Sequence, residues 1–196
     1  EETLFQRIGR QSDPVKVQPN TPHVFTIPPP QPMTTVALVG LPGSGKSTLC
    51  KELAGKESTG TNPTMKFAEL ERPGVNLRVL DAKGLEESNV KDVLTALDNA
   101  KYNGNVDHLC FVFATHQPLT MEDCKLLERV ATSGGKCGAV IKHWQKSAPT
   151  PEQWLNSADE TCKVFLKNTF GSLFMSEPPT PESTSIEALR ALLSNV

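Results

Sequence analysis

Residues 34–48 read Thr34-Thr35-Val36-Ala37-Leu38-Val39-Gly40-Leu41-Pro42-Gly43-Ser44-Gly45-Lys46-Ser47-Thr48. The first six are β-branched or apolar with no charged break, the composition of a strand buried on both faces. Gly40 to Ser47 satisfy G-x-x-x-x-G-K-[ST] in full, and a helix over about 46–54 follows. Strand, glycine turn and helix, in that order, give the motif a physical meaning. The glycines let the backbone wrap so that its N–H groups point inward at a chain of phosphates, and the helix N-terminus adds a partial positive charge. Lys46 supplies a point charge for the β- and γ-phosphates, and the Ser47 hydroxyl is the expected Mg²⁺ ligand. The nucleotide-binding candidates are therefore Gly40, Pro42, Gly43, Ser44, Gly45, Lys46, Ser47 and Thr48. The plain alternative is a glycine-rich turn with an incidental lysine; the flanking strand and helix argue against it.

Downstream, the text keeps alternating. Residues 55–64 are polar and rich in Ser and Thr. Met65–Leu70 and Val75–Leu80 flank Arg72-Pro73-Gly74 and read as a hairpin. Asn89–Ala100 carries Val90, Val93, Leu94 and Leu97 on one helical face. His108–Phe113 is a strand, and a helix starts at Thr120 with a cap residue and an acidic first turn. Cys137–Ile141 is a strand; Thr150-Pro151-Glu152-Gln153 is a capping box that opens one further helix. Leu173–Ser176 is a last short strand, and Thr184-Ser185-Ile186-Glu187 opens a closing helix. This order predicts an α/β three-layer P-loop sandwich: a mostly parallel six-stranded sheet with one antiparallel edge hairpin strand. Ligands in such sheets sit at the carboxyl ends of the strands, where the glycine motif falls.

Composition bounds the rest. Of 196 residues, 37% are hydrophobic and 21% charged, enough for a packed core and too apolar for wholesale disorder. No run reaches the roughly 18 apolar residues of a membrane span. A net charge of −2 gives no global field for a phosphate backbone, so nucleic acid is not an expected partner. Seven of the sixteen prolines lie in residues 1–33, which read as an extended arm or linker ahead of a nucleotide-binding domain over 34–196. The chain opens Glu1-Glu2 without an apolar leader, and its five cysteines show no metal or disulfide spacing. Buried free thiols in a reducing, cytoplasmic compartment are expected, with any membrane association left to segments outside this sequence.

The class of P-loop protein turns on Leu77-Arg78-Val79-Leu80-Asp81-Ala82-Lys83-Gly84-Leu85, a strand ending in Asp-x-x-Gly. An Asp there can hold Mg²⁺ through water, and the Gly84 N–H can approach a γ-phosphate because no Cβ intervenes. With the glycine motif upstream, the chain resembles a GTPase of the translation-factor-related class, and within it the immunity-associated and chloroplast-import-receptor (avirulence-induced-type) GTPases. Asp81-Ala82-Lys83-Gly84-Leu85 stands where that family writes DTPGL. Asp107–Phe113 and Pro118–Leu127 resemble its fourth strand and the helix after it. Ser176, followed by Ser185–Leu189, is similar to its last base-side loop and helix. The resemblance implies GTP and GDP as ligands with Mg²⁺, Ser47, Asp81 and a switch threonine at the metal, and pairing of two copies through their nucleotide faces. Thr64 is the metal-side candidate, with Thr61 and Thr59 also within reach.

Two departures from that family shape the functional expectation. Its base-specificity motif, N/T-K-x-D, falls where this chain reads Ile141-Lys142-His143-Trp144-Gln145, with no carboxylate for the guanine edge. A charge-assisted pair of this kind is worth about 1.5–3 kcal/mol, so guanine preference should be modest. Lys142 and His143 are left to cover the base, with Trp144 stacked on it or in the core. Leu85 follows the Asp-x-x-Gly where a water-orienting Gln would stand, so hydrolysis should be slow without a partner, and no residue is assigned as catalytic. Arg72 and Arg78 could act as fingers in trans, although solvated arginines are commoner. The expected function is a guanine-nucleotide switch with slow or partner-activated hydrolysis. A small-molecule P-loop kinase is one alternative, but Arg129 and Arg190, both on predicted helices, are the only C-terminal arginines for its lid. A nucleotide-binding scaffold without turnover is the other.

Overall fold

The computed structural model describes residues 33–72, 75–102, 106–133, 136–142, 148–170, 173–176 and 184–194. Residues 1–32 of the expected arm over 1–33, the turn Pro73-Gly74, and His143 and Trp144 lie outside the described residues. Six strands form one sheet: β1 (Thr34–Val39), β2 (Met65–Arg72), β3 (Val75–Ala82), β4 (His108–Ala114), β5 (Lys136–Lys142) and β6 (Leu173–Ser176). Their spatial order is β2-β3-β1-β4-β5-β6. β1 runs parallel to β3 and β4, β4 to β5 and β5 to β6; the hairpin of β2 and β3 supplies the antiparallel edge.

The period of two along the central strands builds two cores. Ala37 and Val39 of β1 and Leu109, Phe111 and Phe113 of β4 face one side. There they meet α2 (Val90–Tyr102), α3 (Met121–Ala131), α4 (Pro151–Ser157) and α5 (Glu160–Thr169). Val36, Leu38, Cys110 and Val112 face the other side, against α1 (Lys46–Ala54) and α6 (Thr184–Ser194). β1 is buried on both faces, with Val36 to Val39 fully inaccessible, which is why its sequence shows no polar alternation.

The helix starts obey local chemistry. Thr120 and Asp123 form a reciprocal capping box on α3, and Thr150 and Gln153 form one on α4 with Pro151 in the first turn. One difference from the sequence reading lies between 157 and 160, where a single helix was expected. Asp159 takes an extended conformation and its side chain accepts the Thr161 N–H, so the chain stops α4 and restarts as α5. All five cysteines are free. Burial pushes the Cys50 and Cys110 thiols up to about 12, so both stay protonated. No described helix is long and apolar enough to cross a membrane.

Candidate nucleotide site

The chain leaves β1 at the sheet's switch point. From β1 it passes to β2 and β3 on one side, and from β3 it returns to β4 on the other. The loop between β1 and α1 therefore opens over the carboxyl ends of the parallel strands. Gly45, at φ 88°, sits in the left-handed region that turns the loop into the helix. α3, α4 and α5 carry side-chain caps, whereas α1 has none and no acidic residue in its first turn. Its leading N–H groups are left for an anion.

A cleft of about 670 Å³ opens there, lined by Pro42, Gly43, Gly45, Lys46, Ser47 and Thr48 from the loop and helix. Its far wall is Glu57, Ser58, Pro63, Lys66 and the run Asp81–Gly84. Lys46 is buried; its Nζ donates to the Leu41 carbonyl at 2.8 Å and to Ser44 Oγ at 3.3 Å. Burial lowers its pKa to about 8, partly offset by the charge of Asp81. Ser44 is itself buried and supports Lys46 from beneath. Gly40 lies behind the loop, where its carbonyl accepts the Leu85 N–H at 2.9 Å.

Asp81 is buried at the end of β3. Ser58 Oγ donates to its Oδ2 at 3.1 Å, while its Oδ1 has no partner among the described residues. An orphaned carboxylate oxygen in the same cleft as the exposed Ser47 hydroxyl suits a hydrated divalent cation, so the donor set fits Mg²⁺. The Asp-x-x-Gly loop is stitched in place. Gly84 packs so closely on the phosphate loop that a Cβ there would lie 2.7 Å from Pro42 Cα. Asn89, buried, donates to the Gly84 carbonyl at 2.8 Å, and the Lys83 N–H donates to the Thr64 carbonyl at 2.8 Å.

Other expected residues are placed differently. Thr64 accepts from this loop through that carbonyl, while its neighbour Pro63 lines the cleft. Thr59 pairs its N–H and C=O with Phe67 of β2, and Thr61 is exposed. Lys142, at the end of β5, is buried, and its ammonium donates to Glu52 Oε2 of α1 at 2.6 Å rather than standing free for a base. Burial lowers its pKa, and the bond and charge of Glu52 oppose that. Ser176 lies opposite Lys142 in the β5–β6 register. Leu85 is fully buried in the core, so it is an anchor and cannot orient water. Three of the arginines are held elsewhere: Arg78 by Glu69 across the hairpin, Arg129 by Glu87, and Arg190 by the Leu53 carbonyl; the Arg72 side chain lies outside the described residues. No described arginine lines the cleft. Sequence reasoning missed Gln117, whose Nε2 donates to the Pro42 carbonyl at 2.8 Å and whose own carbonyl accepts the Trp154 indole N–H at 2.6 Å.

The model of the 50S ribosome-binding GTPase family matches residues 35–143, more than half the chain and the part that carries the cleft. The chain belongs to that family. The chain is similar to GTPase Der of Nostoc sp., 29% identical over 119 residues, covering 56% of this chain and 26% of that protein. GTPase Der of Citrifermentans bemidjiense is 23% identical over 168 residues, 78% of this chain and 37% of that protein. The chain thus spans 26% to 37% of the length of these relatives. In fold, the GTPase domain matches bacterial selenocysteine-specific elongation factor EF-Sec with a TM-score of 0.61 at 17% identity, over 84% of this chain and 28% of that one. It matches Toc33 from Arabidopsis thaliana, in complex with Mg²⁺ and GMPPNP, with a TM-score of 0.59 at 16% identity, over 83% of each chain. The motif resemblance to translation-factor-related GTPases and chloroplast-import receptors agrees with both.

Proposed function

We propose that this GTPase domain is a guanine-nucleotide-binding switch that takes Mg²⁺ with its nucleotide and hydrolyses GTP slowly on its own. One observation carries the reading. An uncapped helix N-terminus, a buried lysine and a buried carboxylate with an unpartnered oxygen all converge on one cleft. Gly43, Gly45 and Thr48 wrap the phosphates, Lys46 neutralises them, and Ser47 and Asp81 hold the cation through hydroxyl and water. Thr64 joins the cation when the 55–64 loop closes. The base lies towards the ends of β5 and β6, near Lys142, His143 and Ser176. The domain runs from residue 34 to 196, with 1–33 as its linker.

The slow turnover follows from a cleft with no arginine among its described lining residues and from a buried Leu85. A second copy meeting the nucleotide face would supply what is missing; a Toc33 variant is described as dimerisation-deficient, so pairing occurs in that protein. The deciding experiment is a titration of GTP, GDP, ATP and XTP with Mg²⁺, repeated on Lys46→Ala. The parent should prefer GTP and GDP to ATP, and Lys46→Ala should lose affinity by at least about a hundredfold with an unchanged circular dichroism spectrum. ATP preference with phosphoryl transfer would point to a kinase, and silence towards every nucleotide to a scaffold.

A further inference from the structure

The cleft carries more positive charge than the phosphate loop explains. Its lining includes three ammonium groups, Lys46, Lys66 and Lys83, and two carboxylates, Glu57 and Asp81. Glu57 is occupied by Lys51 at 2.6 Å, and Asp81 accepts from Ser58 and feels the charge of Lys46. Neither Lys66 nor Lys83 has a carboxylate within ion-pair distance among the described residues. Two lysines with no ion-pair partner among the described residues therefore border the space a polyphosphate would fill.

Sheet order says which end of the ligand meets them. β3 lies on one side of β1, and β4, β5 and β6 lie on the other. With the base towards β5 and β6, the phosphate chain runs across the top of β1, and its terminal group lies towards β3. Lys83 follows directly from the end of β3. Its N–H is pinned to the Thr64 carbonyl, and the next residue, Gly84, abuts Pro42 of the phosphate loop. The Lys83 backbone is thereby fixed at the rim while its side chain remains exposed and long enough to turn inwards. Lys66 is one strand farther out on β2, in register opposite Asp81 and away from Lys83.

We propose that Lys83 is the residue that distinguishes nucleoside triphosphate from diphosphate, its ammonium binding the terminal phosphate that only the triphosphate carries. The inference rests on the nucleotide reading above and adds the residue that senses the third phosphate. It also gives the hydrogen bond between the Lys83 N–H and the Thr64 carbonyl a purpose: a lysine drawn onto the terminal phosphate pulls on the 55–64 loop.

The test is a titration of the parent, Lys83→Ala, Lys83→Arg and Lys66→Ala with Mg²⁺–GDP and with Mg²⁺ and a non-hydrolysable GTP analogue. Lys83→Ala should weaken the analogue about tenfold and GDP less than about twofold, the size expected for one lost charge-assisted contact. Lys83→Arg should restore the analogue to within about threefold, and Lys66→Ala should shift both nucleotides alike. Equal shifts for the two nucleotides in Lys83→Ala, or none, would overturn the assignment while leaving the nucleotide site intact. A parent protein that binds neither ligand overturns the nucleotide reading itself, and this inference with it. Thermal melting of each variant separates a lost contact from a lost fold.

Discussion

Burial works against the charge of Lys46. Its pKa, about 8 rather than the ordinary 10.5, means that the unfolded chain holds more protons than the folded one between those two pH values. Stability of the nucleotide-free protein should therefore rise with pH across that window. Below it, the buried ammonium holds the fold back by about 3 kcal/mol. Lys46→Met is expected to raise the melting temperature of the nucleotide-free protein by a few degrees while removing nucleotide binding; a lower melting temperature would make the lysine a structural residue. A bound polyphosphate reverses the balance by favouring the charged form. Above pH 8 nucleotide binding should thus take up a proton, and affinity should fall by up to about tenfold per pH unit towards pH 10. Calorimetric titration in two buffers of different ionisation enthalpy reads that uptake directly. Lys46 was legible because its motif is a fixed spacing. Gln117 was not, because its partner Pro42 is 75 residues away and no local pattern joins a loop amide to a distant carbonyl. Gln117→Ala should weaken nucleotide binding about threefold to tenfold through loss of that loop anchor, measured against an unchanged melting temperature.

At the scale of elements, the two segments flanking the cleft differ more than their shared polarity suggests. Residues 55–64 and 82–88 both border the cleft. The structure holds the second by the fully buried Leu85, by Asn89 on the Gly84 carbonyl, and by the packing of Gly84 on Pro42. The first has the Thr59–Phe67 bridge and the Asn62 side chain accepting the Thr64 N–H. Hydrogen exchange should therefore show a large gain of protection over 55–64 when a GTP analogue replaces GDP. Over 82–88 the gain should be confined to Lys83 and Gly84. Equal protection of residues 55–64 in both states would remove the switch. Gly84→Ala should disturb both loops together, because its methyl group meets Pro42 backbone atoms at 2.7 and 2.8 Å. Strands and helices were legible from period and cap chemistry. The break at Asp159 was not, because a cap residue within a helical pattern shows itself only when the backbone turns there.

For the whole molecule, the mostly parallel six-stranded sheet with its antiparallel edge hairpin was legible from the alternation of strands and helices, whereas the spatial order of the strands emerges only from the structure. The base end was less legible, since no local pattern joins Lys142, expected near the base, to its partner Glu52 on α1. That pairing ties β5 to α1, and Arg190 ties α6 to the same helix through the Leu53 carbonyl. These ties bring no further charge to the cleft, and the proposed slow turnover stands apart from them. Lys83, if it grips the terminal phosphate in the ground state, raises affinity without lowering the barrier, because a contact made equally before and in the transition state does not accelerate chemistry. What is missing is charge that strengthens as the bond to the leaving oxygen breaks, and no described arginine lines the cleft to supply it. A second copy approaching the nucleotide face is the source proposed above. Turnover per molecule should then rise with protein concentration at saturating GTP and level off once dimers predominate, while light scattering shows dimers with the GTP analogue and monomers with GDP. Fast turnover that does not change with concentration would rule out the dimer route and would require a group within this chain to orient the attacking water. His116, exposed on the loop after β4 and one residue from the Gln117 that holds the phosphate loop, would be the first side chain to replace.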